Sequence, residues 1–250
     1  MSEKLQKRFI EKIRHKIWLT SDHFKMLEND DHVLIGVSGG KDSLVLLETL
    51  AIRRKIYKLP YKISAAHINV NEVPYEIDAD YFRSMCAELE VDCYIENISV
   101  DLERADEKGH CFICAWHRRK RLFDLSREIN CNKIALGHHL DDAVQTQLMN
   151  MLYHGSTSSM PPILKMFSGR VLLVRPLLFL HEKDVQQYSD YRNFKLIEKT
   201  CPYEDDTNRK FVRNLIETID KHNKIAKTNI FNSTTKIFDE YILKEKFKFK

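Results

Sequence analysis

Short apolar runs alternate with amphipathic segments along most of this chain. Continuous apolar runs of a few residues, such as Val33–Val37, are typical of parallel strands that are buried on both faces. Between them lie segments whose apolar residues recur at helical spacing. The pattern predicts strands at Val33–Val37, Ile63–Val70, Asp92–Ile98, Lys133–Leu136 and Val171–Val174. It predicts helices at Asp42–Ile56, Asp78–Glu90, Phe112–Ile129, Leu140–Tyr153 and Glu182–Tyr191.

This alternation predicts an α/β fold with a five-stranded parallel sheet flanked by helices, because strands separated by helices imply βαβ crossovers. A further helix is predicted over Leu5–Leu27, and a helical extension is predicted at the C-terminal end. The expected domains are a basic N-terminal helix (1–27), a central domain (28–220) and a basic C-terminal extension (221–250).

The distribution of charge adds a candidate partner. Residues 1–27 carry a local net charge of +4 and residues 221–250 one of +5, so the body carries −5 within a total of +4. Basic ends on a mildly acidic body suit contact with a polyanion such as nucleic acid, although solvated terminal lysines would give the same pattern. No apolar run approaches the roughly 20 residues of a membrane span. The charged first segment lacks the apolar core of a secretory signal, so a cytoplasmic location is expected.

A glycine pair stands where the first predicted strand meets the next helix. Adjacent glycines let the backbone turn tightly and present N–H groups to an anion, and the helix N-terminus adds its dipole. Two hydroxyls and an ammonium add donors, and the aspartate is placed to help hold Mg²⁺. The motif consists of Ser38, Gly39, Gly40, Lys41, Asp42 and Ser43. It resembles the signature of the PP-loop ATP-pyrophosphatases, which cleave ATP between the α and β phosphates; an ordinary βα turn is the alternative.

Five of the six cysteines fall into two groups, and the sixth is Cys201. Cys86, Cys93 and Cys131 stand among apolar residues and are predicted to be structural, because unpaired cysteine is among the most buried residue types. Cys111 and Cys114 form a CxxC that opens a helix with a basic run at 117–121, and positive charge near a helix N-terminus favours the thiolate. A zinc site would normally add a second such pair, and none follows. Zinc, redox and iron–sulfur roles all remain open at this point.

Further motifs make a resemblance specific. The sequence CFIC at Cys111 is followed by RRKRLFDLSREINCNKIALGHHLDDAVQTQLMNMLYHG and MPP, then by VRPL, EKDV and Cys201-Pro202-Tyr203. In this order they resemble the tRNA 2-thiocytidine synthetase (TtcA) family and its relatives, the tRNA 2-thiouridine synthetases, over roughly residues 28–220. The resemblance implies an adenine nucleotide alpha hydrolase-like fold. The Cys-Pro-Tyr sequence is closer to the thiouridine branch, whereas the terminal zinc-finger cysteines of that branch are absent.

The resemblance also implies the cofactors. Three cysteines of that family bind a 4Fe-4S cluster and leave one iron open for sulfide, and the matching positions are Cys111, Cys114 and Cys201. ATP and Mg²⁺ are the other expected cofactors, with tRNA as substrate and with sulfide, or persulfide from a cysteine desulfurase system, as sulfur donor. Members are often dimeric, so a homodimer is compatible with the resemblance. Arg118, Arg119, Arg209 and Arg213 are expected to grip tRNA or the leaving phosphate, or else to be solvated.

A second motif, GHHLDD, closes the fourth predicted strand, where ligands bind in open parallel sheets. Gly137, His138 and His67 are expected beside the nucleotide, and Asp142 joins Asp42 as a catalytic or Mg²⁺-binding candidate. The sequence therefore predicts ATP-dependent adenylation of a base carbonyl followed by sulfur insertion, giving 2-thiocytidine in an anticodon loop. The alternatives are a 2-thiouridine synthetase, a lysidine synthetase, an enzyme acting on a small molecule or nucleobase, and a cluster-bearing regulator or sulfur carrier without turnover.

Overall fold

The computed structural model describes residues 3–101, 109–197 and 207–241. Strands and helices alternate as far as residue 154, as the sequence predicts. The strands are β1 (His32–Gly36), β2 (Lys62–Val70), β3 (Asp92–Ile98), β4 (Lys133–Ala135), β5 (Ile163–Met166) and β6 (Val171–Val174). The helices are α1 (Glu3–His23), α2 (Lys41–Tyr57), α3 (Ala79–Glu88), α4 (His110–Glu128), α5 (Leu140–His154), α6 (Glu182–Arg192), α7 (Thr207–His222) and α8 (Ala226–Ser233).

The sheet has six strands in the order β3-β2-β1-β4-β6-β5, so the prediction of five strands was wrong. The additional strand, β5, lies at the edge and pairs antiparallel with β6, whereas the other pairings are parallel. Its four residues include the exposed neighbours Leu164 and Lys165. A short edge strand needs no continuous apolar run, and therefore its sequence lacks the signal that marks the buried strands.

The strand order reverses beside β1. The chain passes from β1 to β2 and β3 on one side, and then returns to place β4 on the other side of β1. In open α/β sheets ligands bind outside the carboxyl ends of the strands at such a switch point. The topology therefore brings the segments that follow β1 and β4 to the same crevice.

Both faces of the sheet are covered by helices. Val33 and Ile35 of β1 contribute to a core shared with α1, α2, α3 and α6, whereas Leu34 contributes to a second core with Leu122 and Leu125 of α4. This alternation is the period of two that a strand buried on both faces requires. The central strand is thus held from both sides, which fixes the position of the loop that follows it.

A buried carboxylate links three helices on one face of the sheet. Glu48 of α2 accepts from Arg14 of α1 at 3.3 Å and from Arg192 of α6 at 2.6 Å, and Tyr188 of α6 also donates to it. Burial and the neighbouring Glu48 raise the pKa of Tyr188, while Arg14 opposes that rise. The buried carboxylate therefore has partners on both α1 and α6, and removing one member of such a cluster would leave a charge without its counterion.

The chain divides into two compact units, Met1–Leu140 with Pro161–Thr207, and Asp141–Met160 with Asn208–Lys250. The first contains the sheet. In the second, Lys227 pairs with Asp141 at 2.8 Å, and the Gln147 side chain donates to Ser233 at 3.0 Å, so α8 is tied to α5. The domain limits expected at 27/28 and 220/221 stay a prediction. In the part of the chain that the structure describes, no helix is both long and apolar enough to cross a membrane.

Candidate functional site

The glycine-rich segment after β1 forms a compact turn held by its own serines. The Ser38 backbone N–H donates to the Ser43 hydroxyl at 3.1 Å, and that hydroxyl donates to the Gly40 carbonyl at 2.8 Å. The Gly40 N–H is directed to the Ser38 hydroxyl at 3.3 Å. These bonds hold the loop ahead of the N-terminus of α2, which is the geometry that binds an anionic group. The predicted residues 38–43 are therefore brought together.

The first glycine of the loop cannot be replaced without strain. Gly39 has φ of +76°, and a Cβ built on it would lie 2.0 Å from Cδ1 of Ile197. The Ile197 N–H also donates to the Gly39 carbonyl at 3.0 Å. A cavity of about 170 Å³ adjoins this contact and is lined by Tyr81 and Lys195 among others. Ile197 thus covers one side of the loop. This contact joins residues far apart in the sequence, and no sequence pattern predicted it.

Lys41 lies between two carboxylates. Its ammonium is 3.0 Å from Glu182 of α6 and 3.4 Å from Asp42. Burial lowers the pKa of Lys41, but the two carboxylates outweigh that effect and the pKa is raised overall. Lys41 is therefore protonated at neutral pH and is available to neutralise phosphate. Glu182 is a site residue that sequence reasoning did not assign; its acidic position at a helix start gave no sign of this partner.

The GHH segment after β4 packs directly on the loop. A Cβ on Gly137 would come within 2.9 Å of the Asp42 carbonyl carbon and 3.1 Å of the Ser43 nitrogen, so only glycine allows this approach. Nε2 of His139 is 3.8 Å from Asp42. Gly137 thus contacts the backbone of the loop directly, and its expected place beside the nucleotide stays a prediction. His138 is half-buried and follows Gly137 immediately.

His67 and Asn69 lie on β2 at the same edge of the sheet. Nδ1 of His67 is 2.7 Å from the Val37 carbonyl, so Nδ1 carries the proton. The Asn69 amide donates to Asn97 at 3.0 Å, while its oxygen is buried without a hydrogen-bond partner among the described residues. A buried acceptor without a donor is costly, and a ligand amine or hydroxyl would satisfy it. Both residues therefore fit the wall of a nucleotide pocket.

Cys111 and Cys114 lie within the first five residues of α4. Gly109, with φ of +75°, precedes the helix, and Cys111 is exposed. Cys114 is partly buried against Val70 and Val100, which follow or end β2 and β3. The two thiols therefore lie at the carboxyl edge of the sheet, on the side of β2 and β3. Cys201 lies outside the described residues, and among those residues no group of three metal-ligating side chains occurs.

The other cysteines are packed as structural residues. Cys86 and Cys131 are buried, and Cys93 is partly buried. A thiol–thiol hydrogen bond with Cys93, together with burial, raises the pKa of Cys86, and the same bond lowers the pKa of Cys93. Burial raises the pKa of Cys131 to about 12. Cys86 and Cys131 are consequently protonated and enclosed, which agrees with the structural role predicted for them.

The basic run of α4 divides into paired and unpaired cations. Arg121 forms ion pairs with Glu96 of β3 at 3.0 Å and with Glu128 of α4 at 2.6 Å, so its charge is neutralised within the fold. Arg118 donates to the Tyr75 hydroxyl at 3.1 Å and lies against that ring. The exposed Arg119 has no ion pair among the described residues. The first half of α4 therefore adds unneutralised positive charge to the region that carries the two cysteines.

Comparison with known proteins decides the family. Residues 4–219 match the PP-loop domain, which is most of the chain. The chain belongs to the PP-loop domain family. Its nucleotide loop and the glycine packed on it are thus the parts of a PP-loop site, placed at the switch point of the sheet.

Relatives of this PP-loop chain include tRNA-modifying enzymes. It is 29% identical over 251 residues to the tRNA-cytidine(32) 2-sulfurtransferase of Geotalea uraniireducens, with 98% of this chain and 99% of the relative covered. The same enzyme of Pseudomonas fluorescens is 33% identical, with 92% and 84% covered. The solved U34-tRNA thiolase NcsA from Methanococcus maripaludis, with its 4Fe-4S cluster, has a TM-score of 0.73, 26% identity and coverage of 92% and 78%. The resemblance to the tRNA thiolation enzymes is thereby confirmed.

Several predicted residues belong to the second compact unit. Asp142 lies in the first turn of α5, next to Asp141, whose carboxylate pairs with Lys227. The Gln145 side chain donates to the Arg209 carbonyl at 3.1 Å, and Arg213 is exposed on α7. Asp141 is thus held in an ion pair within its unit. A catalytic or metal-binding role of Asp142 stays a prediction.

Proposed function

We propose that this PP-loop protein is an ATP-dependent tRNA sulfurtransferase that converts a cytidine, at position 32 of the anticodon loop, to 2-thiocytidine. The observation that carries the proposal is the joint placement of a PP-loop, Gly137 and the Cys111–Cys114 turn at one edge of the sheet. Relatives named for this reaction align over nearly the whole chain.

The residues of the loop supply the first half of the reaction. Backbone N–H groups of residues 38–43 and the Lys41 ammonium would hold the phosphates of ATP and stabilise charge on the transferring group. The base oxygen attacks the α-phosphorus, and pyrophosphate leaves. Sulfur at the oxidation level of sulfide then displaces AMP from the base carbon, so that the original oxygen departs in AMP. Each bond formed is matched by one broken.

Two of the described cysteines, Cys111 and Cys114, suit the binding of an iron–sulfur cluster. Cys111 and Cys114 are one helical turn apart at an exposed helix start, and Cys201 is the third proposed ligand. A bound 4Fe-4S cluster would supply the place where sulfur is delivered. Asp42, with Asp142 as a second candidate, would hold Mg²⁺, which neutralises phosphate charge. His67 and Asn69 would line the adenosine pocket, and Gly137 and His138 the phosphate side.

Partners follow from the reaction. The tRNA would contact the unneutralised Arg118 and Arg119, and a loop base would be extruded for the chemistry. The sulfur donor is proposed to be sulfide, or a desulfurase-derived persulfide whose outer sulfur is reduced to sulfide by a thiol that is oxidised to a disulfide, and a homodimer is proposed from the family resemblance. A 2-thiouridine synthetase is the second candidate, because the similar NcsA structure is that of a U34 thiolase.

Pyrophosphate release tests the proposal directly. The chain is incubated with ATP and with transcripts of one tRNA that carry cytidine or uridine at position 32 and, in a second pair, uridine or cytidine at position 34. Release that depends on tRNA and on cytidine 32 supports the assignment. Release that depends instead on a uridine at position 34 supports the second candidate, and release without RNA contradicts both.

A further inference from the structure

Arg175 is an interior cation without a carboxylate. It follows β6 at the carboxyl edge of the sheet and is only 6% exposed. The other strongly buried cations among the described residues are Arg53 and Lys133, and each pairs with an aspartate, Asp22 and Asp31 respectively. Burying an unpaired charge is costly, so a buried guanidinium that lacks a counterion calls for another source of negative charge.

Arg175 makes hydrogen bonds that do not use all of its guanidinium N–H donors. Nη1 donates to the Pro161 carbonyl at 2.6 Å, and the backbone N–H donates to the Pro162 carbonyl at 3.0 Å. Nε is buried and has no hydrogen-bond partner among the described residues. A guanidinium carries five N–H donors in a fixed fork, which matches carboxylate or phosphate oxygens.

A second arginine lies nearby and is also unneutralised. Burial, and next the charge of Arg119 on α4, lower the pKa of Arg175 to about 10. An anion bound to Arg175 would offset both the cost of its burial and this repulsion.

We propose that Arg175, backed by Arg119, is a phosphate-binding residue at the carboxyl edge of the sheet. The phosphate is either an RNA phosphodiester or a phosphate of the nucleotide, and both are recognised by the same guanidinium fork. The inference rests on the proposed function only for naming RNA as one source. A role confined to bracing residues 161 and 162 is the competing explanation.

Binding measurements without turnover distinguish phosphate binding by Arg175 from a purely structural role. Arg175→Gln removes the charge and keeps a donor for the Pro161 carbonyl, and the exposed Arg170→Gln is the matched loss of one charge nearby. Each protein is titrated with tRNA transcript at several salt concentrations and, separately, with α,β-methylene ATP. We expect Arg175→Gln to weaken one ligand about tenfold or more, as for a lost charge-assisted hydrogen bond, and Arg170→Gln to stay within about twofold.

The two ligands identify the source of the phosphate. If RNA supplies it, Arg175→Gln weakens tRNA and lowers the slope of log K against log salt by about 0.7 to 0.9, the value for one phosphate. If the nucleotide supplies it, only the ATP analogue is weakened, a result that does not depend on the chain modifying tRNA. Unchanged affinity for both ligands, with only a lower melting temperature, overturns the proposal.

A second variant decides the matter if Arg175→Gln does not fold. Arg175→Lys keeps the charge but loses the fork, so binding weakened several-fold with an unchanged salt slope supports phosphate contact. Wild-type affinity of Arg175→Lys for both tRNA and the ATP analogue contradicts it.

Discussion

At the scale of single residues, the site depends on where one positive charge and two glycines are placed. Lys41 is the charge of the loop, and its carboxylate partners keep it protonated. Gly39 and Gly137 allow two close approaches, one against the side chain of Ile197 and one against the backbone of α2. Because one glycine faces a side chain and the other faces backbone atoms, we expect their substitutions to alanine to have different consequences.

Replacing Lys41 by alanine should lower tRNA-dependent pyrophosphate release by about 10²–10³-fold, the usual loss for one transition-state donor. Because its folded pKa is raised, the ion pair is fully present below the ordinary value of 10.5 and is lost as pH rises through the higher folded value. The contribution of Lys41 should therefore be constant between about pH 6 and 9. A rate for Lys41→Ala near that of the unchanged protein would contradict the role.

The two glycines should respond differently to a compensating change. Gly39→Ala adds left-handed strain of about 1–2 kcal/mol and a clash with Ile197, so ATP binding should weaken. Adding Ile197→Ala removes the closest clash and should restore part of the affinity. Gly137→Ala meets backbone atoms and should not be rescued by Ile197→Ala. Calorimetric titration with ATP measures all four proteins, and equal rescue of both glycine variants would refute the geometry.

At the scale of elements, the cluster around Glu48 holds α1 and α6 on α2. Glu48→Ala would leave Arg14 and Arg192 without their carboxylate, and removing one partner of a buried pair costs about 3–5 kcal/mol. For a chain of this size we expect the melting temperature to fall by roughly 6–20 °C. Thermal denaturation by circular dichroism measures it. The exposed Glu217→Ala is the control, and an equal shift in both variants would contradict the account.

The start of α4 offers a spectroscopic test of RNA contact. Trp116 is 48% exposed and Phe112 55% exposed on this helix, next to Arg119. Stacking of an RNA base on an aromatic side chain contributes about 1–3 kcal/mol. With Trp18 changed to phenylalanine, Trp116 is the remaining tryptophan, and tRNA should quench its emission. Trp116→Ala should weaken tRNA binding, whereas Tyr57→Ala on α2 should not; unchanged emission during binding would exclude this surface.

At the scale of the whole molecule, the features that could be predicted from the sequence are those that depend on residues adjacent in the chain. The phosphate loop, the CxxC turn and the buried strands were predictable because each depends on neighbouring residues: glycines for a turn, or a continuous apolar run for a buried strand. The edge strand β5 was missed because four half-exposed residues carry no such run. Glu182 contacts Lys41 from a distant part of the sequence, so no local pattern reveals this ion pair. The same is true of Arg175, because whether a carboxylate lies beside its buried guanidinium depends on residues distant in sequence.

If this chain places sulfur on a tRNA base, the thionucleosides of total tRNA depend on its gene, and nucleoside mass spectrometry measures them. Cells with and without the gene are compared, together with cells that carry Cys201→Ala or, as control, the partly buried Cys93→Ser. We expect 2-thiocytidine to be lost without the gene and to be restored by the unchanged protein and by Cys93→Ser, but not by Cys201→Ala. An unaltered content of every thionucleoside would contradict it.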